Sequence, residues 1–273
     1  MTNSTSSSRP DSAAVPEGGL VSVMGYPSVV QRLHSIVVQP VASAWVGTPE
    51  VVAPTGVLLY GPPGDATAAF ATAIGRELGV DPLHIDVRTG VVSPVVEPSV
   101  IHLGSLDNLH RTAGGHGKVV ADLFEQIAEI PAIRRPLVIA TSAAPWHLDP
   151  AWFTQGRFDR LVFVPPPSWE ARMVALDAGV TSRGLDIGRR ISLLAAATVG
   201  WSGADLDELL EQLSLEPGQG PTSEVGRSSF LLDVVSRIAP RTRSWIGRAR
   251  EMAGVRAEDG MVDDLVAWLR RAE

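Results

Sequence analysis

Gly56 to Ala68 reads Gly-Val-Leu-Leu-Tyr-Gly-Pro-Pro-Gly-Asp-Ala-Thr-Ala. Its first five residues, Gly56 to Tyr60, form a nearly all-apolar run between Pro54 and a glycine turn, as in a parallel strand buried on both faces. Helical spacing of apolar residues follows from about Ala66 to Leu78. A strand passing through Gly-Pro-Pro-Gly into a helix has the shape of a phosphate-cradling loop. The chemistry differs. A G-x-x-x-x-G-K-[ST] loop sets a lysine on the β- and γ-phosphates and a hydroxyl on Mg²⁺, and Thr67 and Ala68 hold those two places. The only lysine of the chain is Lys118.

Upstream, Val29, Val30, Leu33, Ile36 and Val37 have the spacing of one short amphipathic helix from Pro27 to Gln39, expected to stop before Pro40. Downstream, Leu83 to Val87, Val100 to Leu103, Leu137 to Thr141 and Leu161 to Val164 read as further buried strands, with a helix at Val119 to Ile130. Strands alternating with helices predict a parallel α/β sheet. After Pro165-Pro166-Pro167 the strand signal stops, and helical spacing recurs in six segments up to Arg271. Glu216 to Arg227 reads as a loop among them.

With 273 residues, 45% hydrophobic, the chain is long enough for one large domain or two small ones, each with a core. It contains no cysteine, so disulfides, thiolate metal sites and cysteine nucleophiles are excluded; a reducing, cytoplasmic address is expected. The six histidines show no metal-ligand spacing, and no metal site is expected. Residues 1–19 are rich in Ser, Pro and Gly and lack the apolar stretch of a signal peptide; a disordered tail is expected. A net charge of −7 disfavours general attraction to nucleic acid or anionic lipid, so neither is an expected partner. Arg237, Arg241, Arg243, Arg248, Arg250 and Arg256 form one basic run, read as a solvated helix face.

Four segments in order, GVLLYGPPG (Gly56 to Gly64), SVIHLGSLDNL (Ser99 to Leu109), LVIATSAAPWHLDPAWFTQGRFDR (Leu137 to Arg160) and GWSGADLDELL (Gly200 to Leu210), together resemble the AAA family of ring-forming P-loop ATPases. The resemblance extends from about Val23 to the C-terminus. It implies a P-loop NTPase-like α/β core over residues 20–167, then an α-helical lid with C-terminal helices over residues 168–273.

Carried over residue by residue, the resemblance breaks at several points. The nucleotide-binding loop is Gly61, Pro62, Pro63, Gly64, Asp65, Ala66, Thr67 and Ala68; Gly61 and Gly64 match, and the last four positions depart. A carboxylate at Asp65, about 5 Å from a phosphate, repels it by about 3 kcal/mol at an effective dielectric near 20. As a helix N-cap, Asp65 also takes the N–H groups a phosphate needs. The family's acidic pair, which organises Mg²⁺ and activates water, falls on Gly104 and Ser105, and neither supplies charge or takes a proton. Asp107 stands nearby at a downstream position, read as a loop or cap residue. The sensor position falls on Ala143, or on Ser142 with a one-residue slip. Between Arg88 and Ser99 there is no room for the family's helix and substrate-gripping loop. The segment Gly156-Arg157-Phe158-Asp159-Arg160 does match the family's arginine-finger segment, whose arginines reach a neighbour's γ-phosphate. A surface ion-pair cluster is the alternative reading of Arg157, Asp159 and Arg160.

The expectation is a non-hydrolysing scaffold or regulatory subunit that offers Arg157 and Arg160 to an AAA-type neighbour or to another copy of itself. No cofactor is required in this reading, and ATP, ADP and Mg²⁺ are expected to bind only weakly. Two alternatives stand beside it: a weakly active ATP-binding ATPase, and a protein-interaction module independent of nucleotide.

Overall fold

The protein is described as a computed structural model covering residues 18–23, 25–48, 52–64, 66–85, 98–107, 116–187, 189–216, 223–256 and 262–271. The expected tail before residue 18, the proposed cap at Asp65, the connection at 86–97 and the tip of the loop at 217–222 lie outside the described residues.

Five parallel strands, β1 (Gly56–Tyr60), β2 (Leu83–His84), β3 (Val100–Ser105), β4 (Leu137–Ser142) and β5 (Arg160–Phe163), lie in the order β2-β3-β4-β1-β5. Parallel strands with crossovers need both faces covered, which is why β1 and β4 are buried at every position. One face, with Val57, Leu59, Val100 and Ile139, packs on α1 (Pro27–Leu33) and α3 (Ala66–Glu77). The other, with Leu58, Ile101, Leu103 and Val138, packs on α4 (His116–Ala128).

The helix at Pro27 does not stop before Pro40. It passes from α1 through a π-helical turn, His34–Val38, into α2 (Gln39–Trp45), with Pro40 in the first turn of α2. Proline lacks an N–H and cannot follow an unbroken α-ladder; the wider turn just before it shifts the hydrogen-bond register so that the path continues.

After β5 come α5 (Trp169–Ser182), α6 (Ile191–Ala197), α7 (Gly203–Leu215) and α8 (Glu224–Arg237), which enclose a core of their own around Leu176, Leu194, Leu209 and Leu231. The last two helices, α9 (Arg241–Arg256) and α10 (Asp263–Arg271), pack instead on the end of the sheet. Trp245, Leu265 and Leu269 share a cluster with Tyr60, Trp146 and Phe163. Arg32 of α1 pairs with Asp264 of α10 at 2.5 Å, a surface contact worth little by itself.

On β3, His102 is buried, and its Nδ1 lies 3.1 Å from Nδ1 of His84 on β2. Its Nε2 is buried without a hydrogen-bond partner. Burial first, and the neighbouring His84 second, push the pKa of His102 down to about 4.

Candidate functional site

The loop after β1 leaves the sheet at Gly61, whose N–H donates to the carbonyl of Ser142 at 3.2 Å. A Cβ on Gly61 would lie 2.2 Å from the carbonyl oxygen of Val164, so only glycine fits this exit. Gly64, three residues on, faces the N-terminus of α7, where an added Cβ would lie 3.3 Å from Cβ of Ser202. Between them, Pro62, Gly64 and Thr67 on the loop side and Ser202 and Gly203 on the other bound a cavity of about 10 Å³. That space holds about one water.

A buried carboxylate fixes the N-terminus of α7 in this place. Asp205 and Ser202 form a capping box: Ser202 Oγ accepts from Asp205 N–H at 3.2 Å, and Asp205 Oδ2 accepts from Ser202 N–H at 2.9 Å. The same carboxylate accepts from the Thr242 hydroxyl and from Arg241 N–H at 3.0 Å, joining α7 to the start of α9. Burial alone would raise the Asp205 pKa; the hydrogen bonds from Thr242, Ser202 and Arg241 outweigh it and hold the group below the ordinary carboxylate value. The Ser-x-x-Asp spacing of Ser202 and Asp205 is a capping signature in the sequence, but the link to Thr242 spans 37 residues and had no local signal.

At the end of β3 the chain bulges. His102 opposes Ile139 and Ser105 opposes Thr141, so two residues of β3 face one of β4, and Gly104 takes φ +69°. Gly104 and Ser105 are therefore not simply two smaller residues on a straight strand. An aspartate at position 104 would find space around its Cβ, but in a left-handed backbone conformation that favours glycine.

Asp107 sits just past the bulge and reaches across to the end of β4. It accepts from the Ser142 hydroxyl at 2.6 Å, from Ala143 N–H at 2.9 Å and from Ala144 N–H at 3.2 Å. The carboxylate is thus occupied as the cap of the turn at 142–144, and Ala143 meets it through its backbone. On its other side, the Ala143 carbonyl accepts from Trp245 Nε1 at 2.5 Å, while the Trp245 ring stacks on Phe163 with 8° between the planes.

Arg157 and Arg160 are at the opposite edge of the sheet. Arg160 opens β5 beside Val57, and the Arg157 carbonyl lies 2.5 Å from where a Cβ on Gly56 would stand. The Gly61 loop leaves at the far end of β1, roughly 15 Å away at the strand rise of about 3.3 Å per residue. The Arg157 guanidinium lies over the Trp152 ring, 5.3 Å from its centroid, and donates weakly to the Ala151 carbonyl at 3.4 Å. Arg160 donates to the carbonyl of Asp159 at 2.9 Å. Neither forms a salt bridge among the described residues, so the ion-pair cluster considered for Arg157, Asp159 and Arg160 does not form. The Asp159 carboxyl turns inward: Oδ2 accepts from Thr55 N–H at 3.3 Å, Oδ1 is buried without a partner, and burial raises its pKa.

In the basic run, Arg237 pairs with Glu216 at 2.8 Å and with Asp233, and Arg241 lies 3.5 Å from Glu208. Arg243, Arg248 and Arg250 are exposed on α9, while the Arg256 side chain lies outside the described residues. Among the described residues no cluster of three or more His, Cys, Asp or Glu side chains has the arrangement to hold a metal ion. No described helix is long and apolar enough to cross a membrane.

Residues 57–166 match the family described as ATPase family associated with various cellular activities (AAA). The chain is 34% identical over 183 residues to the ATPase family gene 2 protein of Schizosaccharomyces pombe, covering 59% of this chain and 22% of that protein. It is 28% identical over 226 residues to Protein SAV of Sulfolobus acidocaldarius, covering 74% and 29%. Against the ATP-dependent zinc metalloprotease FtsH of Hahella chejuensis it is 34% identical over 205 residues, covering 66% and 33%. The chain thus spans about a third or less of the length of these curated relatives. A five-stranded parallel sheet flanked by helices, a Gly-Pro-Pro-Gly loop at the end of β1 and these matches agree: the chain belongs to the AAA family.

Proposed function

We propose that this protein is a non-hydrolysing AAA-type subunit that acts on a neighbouring subunit through Arg157 and Arg160. The observation that carries the reading is where the two arginines lie. They sit a strand's length from the chain's own loop and have no carboxylate partner among the described residues, so a phosphate they meet belongs to another chain. Arginine suits that task because its fixed, permanently charged fork stabilises phosphoryl charge from across an interface.

The loop side supports the same reading. Thr67 and Ala68 offer neither the lysine nor the Mg²⁺ ligand of a working loop, and Gly104 and Ser105 offer no base for water. The nearest acid, Asp107, is committed to three donors of the 142–144 turn. The N-terminus of α7 lies against Gly64, and the cavity between the described residues of the two is about 10 Å³, against the several hundred a nucleotide needs. ATP, ADP and Mg²⁺ are accordingly weak ligands in this proposal, and the partner is a protein, either an AAA-type neighbour or a second copy. The test is to mix the chain with a competent AAA subunit and follow phosphate release. Stimulation by the wild type that is lost in Arg157→Ala and Arg160→Ala supports the proposal; equal rates for all three end it.

A second reading, a weakly active ATPase, draws on the names of the relatives, one an ATPase family protein and one an ATP-dependent metalloprotease. It requires backbone contacts of residues 61–68 alone to hold the phosphates. Phosphate release by the isolated chain, abolished by a substitution in that loop, would favour it.

A further inference from the structure

A second cavity, of about 580 Å³, opens where the start of α1, the Pro165-Pro166-Pro167 linker and the first turn of α5 meet α9 and α10. Its volume is that of a small-molecule site. It borders the small cavity at the loop, sharing Tyr26 and the three prolines, but no residue of 61–68 lines it. The walls are largely apolar and partly flat: the three prolines, Ile246 and the indole of Trp268.

Two cations line the same space. Arg250 is exposed and has no ion pair among the described residues. Arg172 is different, being only 5% exposed. Its Nε donates to the Ala195 carbonyl at 3.0 Å and its Nη1 to the Pro167 carbonyl at 2.8 Å, while Nη2 has no hydrogen-bond partner among the described residues. Carbonyl contacts satisfy donors but do not neutralise a charge, and a buried guanidinium is ordinarily matched by an anion. The acid whose field reaches Arg172 is Glu170, which stands in solvent and makes no salt bridge with it. The wall of an open, ligand-sized cavity therefore carries a buried positive charge that no described carboxylate pairs with.

We propose that this cavity binds a small organic anion with a flat apolar body, such as an aryl carboxylate or sulfonate. The acid group faces Arg172 and Arg250, and the flat body lies between Pro165-Pro166-Pro167 and Trp268. The inference is independent of the arginine-finger proposal, since it uses neither Arg157 nor Arg160 nor the loop.

The test is a fluorescence titration of the full chain with 1-anilinonaphthalene-8-sulfonate, with inorganic phosphate and benzoate as competitors. Saturable binding at one site per chain is expected. Arg250→Gln should weaken it about tenfold, the value of one charge-assisted contact. Glu170→Gln should tighten it about twofold to threefold by removing a competing negative charge at the rim. Both residues are exposed, so neither variant puts folding at risk. Benzoate should displace the dye at lower concentration than phosphate does. Absence of saturation, or equal affinity in wild type, Arg250→Gln and Glu170→Gln, would overturn the proposal. Displacement by phosphate at least as readily as by benzoate would overturn the flat-body assignment.

Discussion

The two edges of the sheet carry the segments that resemble the family's nucleotide loop and its arginine-finger segment, and the chain treats them in opposite ways. At the C-terminal edge, where the loop, Asp107 and Ala143 lie, the polar groups named here are bound to other parts of the same chain: Asp107 to the 142–144 turn, Asp205 to Ser202, Thr242 and Arg241, and the Ala143 carbonyl to Trp245. At the N-terminal edge, Arg157 and Arg160 stand half-buried, held by a ring face and single carbonyls. Residues at the first edge have become structure, whereas those at the second contribute little to the fold and remain available. That contrast gives an ordered set of stability effects.

The largest belongs to Trp245. It is 1% exposed, packs on Phe163 and Trp146, and bonds to Ala143. Trp245→Ala should cost about 3–5 kcal/mol in urea unfolding, as large core truncations do. A loss below about 1 kcal/mol would mean that α9 and α10 are not part of the sheet's core. Next come the carboxylates. Asp107→Ala removes the acceptor of the Ser142 hydroxyl and of Ala143 N–H, leaves Ala144 N–H only the Ser142 oxygen, and should cost about 2–3 kcal/mol. Asp205→Asn should have a cost of similar size and should also change the pH profile. Because the folded pKa of Asp205 is depressed, its contribution is present above the unfolded value near 4 and is lost as pH falls through the folded value. The substituted chain should lack that part of the acid-side loss.

His102 gives a separate pH effect of similar size. Its folded pKa of about 4 lies below the unfolded value near 6.5, so folding favours the neutral ring. Its contribution is complete above about pH 6.5 and declines by about 3 kcal/mol in total as pH falls toward 4. Removing the imidazole, as in His102→Leu, should flatten this interval; an unchanged slope would assign it to other groups. The smallest effect belongs to the opposite edge. Arg157→Ala should lower stability by no more than about 1 kcal/mol, the worth of a partly exposed cation–π contact. A cost comparable to that of Asp107→Ala would erase the contrast between the edges.

The sheet was legible at β1, β3 and β4 because each is a short, mostly apolar run alternating with helices. The expected buried strand from Leu83 to Val87 is instead β2, Leu83–His84, exposed at both positions on the sheet's edge, with residues 86 and 87 outside the described residues. The single-helix reading that stopped before Pro40 failed because periodicity does not show a π-helical turn, which differs from the α-helix by one hydrogen-bond register. At the site, the departures at Thr67, Ala68, Gly104 and Ser105 are plain in the residues themselves. The bulge at Gly104 is not, since a glycine in a strand run signals a bulge without fixing which residues oppose each other. Asp107 was read as a loop or cap residue, but its partners at 142–144 lie 35 to 37 residues away, and those of Trp245 lie about a hundred away. Contacts at such separations leave no periodic trace.

Isothermal titration of the chain with Mg-ATP probes the first edge most directly. Heats no larger than dilution up to about 1 mM, corresponding to binding weaker than about −4 kcal/mol, are the predicted result. A saturable isotherm with a micromolar Kd would contradict it, because Gly61 to Ala68 would then hold a triphosphate without the lysine.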